Sequence, residues 1–124
     1  MKVKAKGNRL EREWASLLRE SGLDKTARRM PMSGAMEDLK ADIITDLPFN
    51  FECKNQETWK PDAYMKQAIE GAKDHEIPVV VMKKNGSKPL IMMQANDWVW
   101  LCQLAKESGQ LVSQYGFSKK KQTT

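Results

Sequence analysis

Apolar residues recur along this chain in three rhythms. Between residues 8 and 21, Leu10, Trp14, Leu17 and Leu18 keep the spacing of one buried helical face. Asn8 is placed to cap that helix and Gly22 to end it in the left-handed conformation. The second rhythm is alternation. In 49–55, Phe49, Phe51 and Cys53 point one way and Asn50, Glu52 and Lys54 the other, as the two-residue period of a strand requires. Before it, Ala41 to Thr45 reads as a compact apolar strand interrupted by Asp42, with Asp46-Leu47-Pro48 turning the chain between the two. The third rhythm is a continuous run, Pro78-Val79-Val80-Val81-Met82, which predicts a strand over 77–83 buried on both faces.

Punctuation residues supply the rest. Residues 26–30 read as a short strand, and Pro31 to Asp38, with Pro, Ser, Gly and two acids, as a loop. A helix is predicted from about Pro61 to Asp74, with proline in its first turn. Tyr64, Ala68 and Ala72 of that helix are expected to pack on the sheet. Asn85-Gly86 predicts a hairpin turn into a strand over 89–94, after which Asn96 or Asp97 caps a last helix carrying Trp98, Leu101, Leu104 and Ala105. This order predicts an α/β fold with a central mixed β-sheet flanked by helices. A length of 124 residues suits one domain, with a core over about 6–107 and residues 108–124 as a tail or dimer-contact extension.

Composition narrows the chemistry. No apolar run reaches the roughly 18 residues of a membrane span, and no apolar stretch follows the basic N-terminus as a secretory signal would require. Cys53 and Cys102 lie far apart without CxxC spacing, which argues against a zinc site or a disulfide framework and fits a cytoplasmic protein. His75, the single histidine, reads as a surface residue, so serine-hydrolase and cysteine-protease chemistry lose their base. The net charge of +5 favours a polyanionic partner. Lys2, Lys4, Lys6, Arg9 and Arg12 crowd the N-terminus, Arg28 and Arg29 precede the loop, and Lys119 to Lys121 lie near the end.

Asp42 is the residue that the apolar pattern does not explain. A carboxylate inside Ala41-Asp42-Ile43-Ile44 costs several kcal/mol, by order of magnitude, if buried without a partner. Two carboxylates on neighbouring strands, Asp42 and Glu52, suit a hard cation such as Mg²⁺, which prefers oxygen ligands. Lys54, on the face of Glu52, is placed to orient a water or offset phosphate charge, and Glu11 on the first helix completes the set. Glu11 also has a structural reading, as the capping-box partner of Asn8.

The pattern Asp42–x(9)–Glu52-x-Lys54, with a helical glutamate upstream, resembles the PD-(D/E)xK nuclease superfamily. Lys6-Gly7-Asn8-Arg9-Leu10-Glu11-Arg12-Glu13 is similar to the KGxxxERE opening of archaeal-type Holliday junction resolvases. Ser33-Gly34, Asp42-Ile43 and Phe51-Glu52-Cys53-Lys54 follow in that family's order. The likeness covers about residues 6–100. It departs at Ala41, where a proline commonly precedes the acid, and in a longer segment between Glu11 and Asp42 that carries Met30, Met32 and Met36. The resemblance implies a restriction-endonuclease-like core and a homodimer that nicks four-way DNA junctions symmetrically with Mg²⁺, Mn²⁺ substituting. It further implies Glu11, Asp42, Glu52 and the Cys53 backbone carbonyl as metal ligands, with Lys54 joining the three acids in catalysis. Arg12 and Ser33 match auxiliary substrate contacts and Gln67 a position where related nucleases often place a glutamine; with Lys6, Arg9, Arg28 and Arg29 they make up the expected DNA-binding set. A prokaryotic cell or a phage-infected host is the expected setting. The alternatives are a same-fold nuclease of restriction, flap or nicking type, and a non-catalytic DNA-binding protein.

Overall fold

The computed structural model describes residues 3–31 and 42–111. The expected loop beyond Pro31 and the lysine-rich tail lie outside the described residues. The chain divides into two units, Met1–Met93 and Gln94–Thr124. The first holds α1 (Val3–Glu20), β1 (Arg28–Arg29), β2 (Ile43–Ile44), β3 (Phe49–Asn55), α2 (Pro61–Gly71), β4 (Ile77–Lys83) and β5 (Leu90–Met93); the second holds α3 (Ala95–Glu107). Among the described residues no helix is long and apolar enough to cross a membrane.

The strand pattern translates directly into a mixed sheet of order β3-β4-β5. β3 and β4 run parallel from Phe49↔Ile77 to Asn55↔Lys83, and α2 supplies the crossover that a parallel pair needs. β5 returns antiparallel across Asn85-Gly86, where Gly86 sits at φ +77, a conformation glycine adopts without steric cost. β1 and β2 form a separate two-stranded antiparallel ribbon with Arg28↔Ile44 and Arg29↔Ile43. α1 and α2 cover opposite faces. Phe51, Cys53, Val79 and Val81 pack with Leu10, Ala15 and Leu18 of α1, whereas Val80 and Met82 pack with Tyr64 and Ala68 of α2. Burial of β4 on both faces is thereby met. Ala72 falls one residue past α2 and is only half-buried.

Three local readings are corrected. α1 begins at Val3 and not at Asn8, so Asn8 lies inside the helix and is no cap. The buried stripe of α1 runs through Leu10, Glu11, Ala15 and Leu18, which leaves Leu17 at its margin and 44% exposed. α3 begins at Ala95 after Gln94, whose carbonyl accepts the amides of Asp97 and Trp98, so neither Asn96 nor Asp97 is the cap. Gly22 does close α1 as expected, at φ +82 with its amide on the Arg19 carbonyl.

Polar side chains fasten the elements to β3. The Ala72 amide bonds the Ile69 carbonyl, leaving the Ala68 carbonyl free at the helix end; buried Asn50 donates to it through Nδ2 at 2.9 Å. Asn55 likewise donates to the Lys6 carbonyl of α1 at 3.0 Å. Asp24, buried after α1, accepts from the Thr26 amide and hydroxyl, the Thr45 hydroxyl and the Asp46 amide. These four bonds, led by that from Thr45, hold its carboxyl well below the usual range. They clamp the turn before β1 to the turn before β3.

The corrected stripe of α1 gives a stability test. Leu10→Ala is expected to cost about 2–5 kcal/mol by leaving a cavity, and Leu17→Ala about 1 kcal/mol or less. Urea denaturation of both variants checks the contrast.

Candidate active site at the edge of β3

In the β3–β4 ladder the Ile77 amide bonds the Pro48 carbonyl and the Gln56 amide bonds the Lys83 carbonyl. The even-numbered residues of β3 therefore turn their backbone groups toward β4, and the odd-numbered ones turn theirs to the open edge. Cys53 is odd-numbered. Its amide is free for a partner outside the sheet, and Asp42 provides one: Oδ2 accepts the Cys53 N–H at 2.7 Å. The main chain of Asp42 meanwhile accepts the Met30 amide at 2.9 Å. One residue thus joins the β1–β2 ribbon to the edge of the main sheet. The Cys53 carbonyl lies on that same edge, while its thiol is buried among the α1-side core.

Glu52 and Lys54 share the opposite face, as the alternation requires, and form an ion pair of 3.5 Å between partly buried side chains. Lys54 Nζ also lies 5.5 Å from the centre of the Tyr64 ring, a cation–π contact that positions the ammonium from the α2 side. Glu11 enters from α1. Its place on the buried stripe leaves it only 6% exposed, and Arg29 of β1 holds it, Nε to Oε1, at 3.0 Å. Arg29 also donates from Nη2 to Asn8 Oδ1 at 2.8 Å, so Asn8 and Glu11, three apart on one helix face, grip a single guanidinium.

Burial and mutual repulsion govern the three carboxyls. Burial raises that of Asp42, opposed by the Cys53 amide and by the charges of Lys54 and Arg29. Burial and then the charge of Asp42 raise that of Glu11, against Arg29 and Arg12. Glu52, desolvated and facing Asp42 and Glu11, is pushed up to about 7 despite Lys54. The cluster is short of positive charge.

That deficit suits a hard divalent cation, although the donor set is small. Among the described residues no group of three or more carboxylate, imidazole or thiol ligands is disposed around one ion position. Glu11 is occupied by Arg29, and the Cys53 thiol faces the core. The oxygens left are those of Asp42 and Glu52 and the carbonyl of Cys53. Three oxygen donors fit Mg²⁺, which keeps water at its other positions.

A family model described as "Phage putative PDDEXK endonuclease" matches residues 2–124. The chain belongs to that family. The match places this PDDEXK protein in the PD-(D/E)xK nuclease superfamily and among phage endonucleases. No curated protein and no solved structure matches it.

The structure of this PDDEXK endonuclease brings Glu11, Asp42, Glu52 and Lys54 together, and it sorts the DNA-binding residues expected from the sequence. Arg29 is engaged with Glu11 and Asn8, and Lys6 is paired with Glu57 at 2.9 Å. Arg9, Arg12, Arg28 and Gln67 are exposed, and Ser33 lies outside the described residues. Sequence reasoning missed Arg29 as the internal partner of Glu11 and Tyr64 as the seat of Lys54. The first contact joins residues 18 apart in the chain, and the second depends on how α2 packs across β3. The raised Glu52 carboxyl has a measurable sign. Between its ordinary 4.5 and about 7 the unfolded chain ionises first, so stability falls as pH rises through that window. The Tm–pH profile of Glu52→Gln is expected to lose this decline.

Proposed function

We propose that this endonuclease hydrolyses DNA phosphodiesters with a divalent metal ion, Mg²⁺ or in its place Mn²⁺, and acts as a Holliday junction resolvase. The supporting observation is the bond from the Cys53 amide to Asp42, which sets an acid from outside the sheet beside Glu52 and Lys54. Asp42, Glu52 and the Cys53 carbonyl would hold the ion. When bound, it supplies positive charge at the scissile phosphate and acidifies a water. Lys54, steadied by Tyr64, donates a hydrogen bond to the attacking water or to a phosphate oxygen. Arg29 holds Glu11 near the acids with one carboxylate oxygen engaged, so Glu11 joins the site through a bridging water and not as one of the three direct donors.

The junction as substrate rests on the KGxxxERE-like opening, which α1 carries to the site with Glu11 on its buried face. Exposed Arg9, Arg12, Arg28 and Gln67 would contact phosphates, giving recognition by shape more than by base sequence. Two matched nicks across a twofold junction call for a twofold homodimer in the cytoplasm of an infected prokaryotic host.

A synthetic four-way junction and a matched linear duplex, each with Mg²⁺ and with EDTA, test the reading. Paired symmetric nicks on the junction alone, lost with EDTA, are expected; equal cutting of both substrates would retain the nuclease and remove the junction preference. Asp42→Asn should lower cutting about a hundredfold or more while junction binding persists. Undiminished cutting by that variant would remove the carboxylate mechanism.

A further inference from the structure

β3 and β4 end side by side, and beyond their C-terminal ends the chain builds a rim that the reaction scheme does not use. Gln56 to Lys60 lead into α2, and Lys84 to Lys88 form the turn into β5. Glu57 ties the parts together: its Oε2 accepts from Lys6 Nζ of α1 at 2.9 Å and from the Asn85 amide at 2.7 Å. Trp59 packs against the α2-side core, with its indole N–H on the Lys83 carbonyl at 3.4 Å. Over its ring, 4.6 Å from the centre, lies the ammonium of exposed Lys84.

Lys84 differs from an ordinary surface lysine. Ser87 Oγ accepts its amide and donates to its carbonyl, both at 3.1 Å, so its backbone is fixed. Trp59 fixes its side chain. Among the described residues no carboxylate forms an ion pair with it. A lysine usually surrenders much side-chain entropy on gripping a ligand; here the fold has already ordered the cation, and the Glu57 carboxylate that feels its charge is bonded to Lys6 and the Asn85 amide instead of pairing with it. Lys60 and Lys88 add exposed positive charge on the same rim. Because Lys84 covers the indole face, Trp59 serves as a seat for a cation and not as a stacking platform for bases.

We infer that the Trp59–Lys84 pair is a prepared phosphate contact for the DNA arm that leaves the active site past the ends of β3 and β4. The inference rests on the nuclease reading above and adds a binding subsite to it. At about 3.3 Å per strand residue the rim begins some 13 Å beyond Glu52, or about four base-pair rises of 3.4 Å along a duplex. The ligand is the sugar–phosphate backbone, read without regard to sequence.

The test measures binding of the full-length protein to a synthetic four-way junction and a linear duplex in EDTA, across a salt series. Lys84→Gln, a change at an exposed side chain, should weaken binding and lower the slope of log K against log salt by about 0.9, the signature of one lost phosphate contact. Lys84→Arg should restore the slope. Trp59→Leu keeps every charge and should weaken binding with little change in slope. Lys25→Gln, in the turn between α1 and β1, should leave both quantities unchanged. An unaltered slope in Lys84→Gln, or an equal loss in Lys25→Gln, overturns the inference. Wild-type protein that cuts no DNA with Mg²⁺ or Mn²⁺ would instead overturn the nuclease reading, and the salt slopes would still decide the phosphate contact.

Discussion

The active-site edge depends on one hydrogen bond, from the Cys53 amide to the Asp42 carboxylate. β2 has only two ladder residues and belongs to a ribbon with β1, so backbone pairing does not join it to β3. A side chain does the joining. Because Asp42 also accepts the Met30 amide through its own carbonyl, the same residue anchors the ribbon, meets the open edge of the sheet and places a carboxylate beside Glu52. The assembly is reinforced from behind by Asp24, which clamps the turns that enter β1 and β3.

The cost of this arrangement is electrostatic. Three desolvated carboxyls face two partly buried cations, Arg29 and Lys54, with exposed Arg12 a lesser influence on Glu11, and each carboxyl is driven toward its neutral form. A fold selected for stability alone would place apolar side chains at this edge. Local strain of this kind collects at functional sites and is offset elsewhere. Here the offset comes from two cores, one under α1 and one under α2.

Much of this was legible in the sequence wherever short-range periodicity decided it. The alternation in Phe49–Asn55 placed Glu52 and Lys54 on one face, and the Val79–Met82 run identified a strand covered on both sides. Asn85-Gly86 marked its turn. What failed depended on tertiary partners. A lysine-rich start gave no sign that α1 begins at Val3, and with Asn8 inside the helix the capping-box reading of Glu11 disappears. Arg29 looked like a phosphate contact because its charge is visible in sequence whereas Glu11 and Asn8, 18 and 21 residues away, are not visibly its partners. The Asp24 clamp left a signal that could have been used, since Asp-Lys-Thr is the spacing of a side chain that bonds the backbone two residues on.

The division of labour at Cys53 bears on how the family can vary. Its main chain serves the active site while its side chain fills the core beneath α1, so the middle letter of the Glu-x-Lys triplet is under two separate constraints. Any residue of similar bulk and low polarity satisfies the core, and the sulfur itself has no assigned chemistry; burial and three neighbouring carboxyls keep the thiol protonated and poorly reactive. Proline alone is barred for a chemical reason, because it would delete the donor that seats Asp42. A drifting lineage can therefore exchange cysteine for valine or alanine and keep its catalytic geometry.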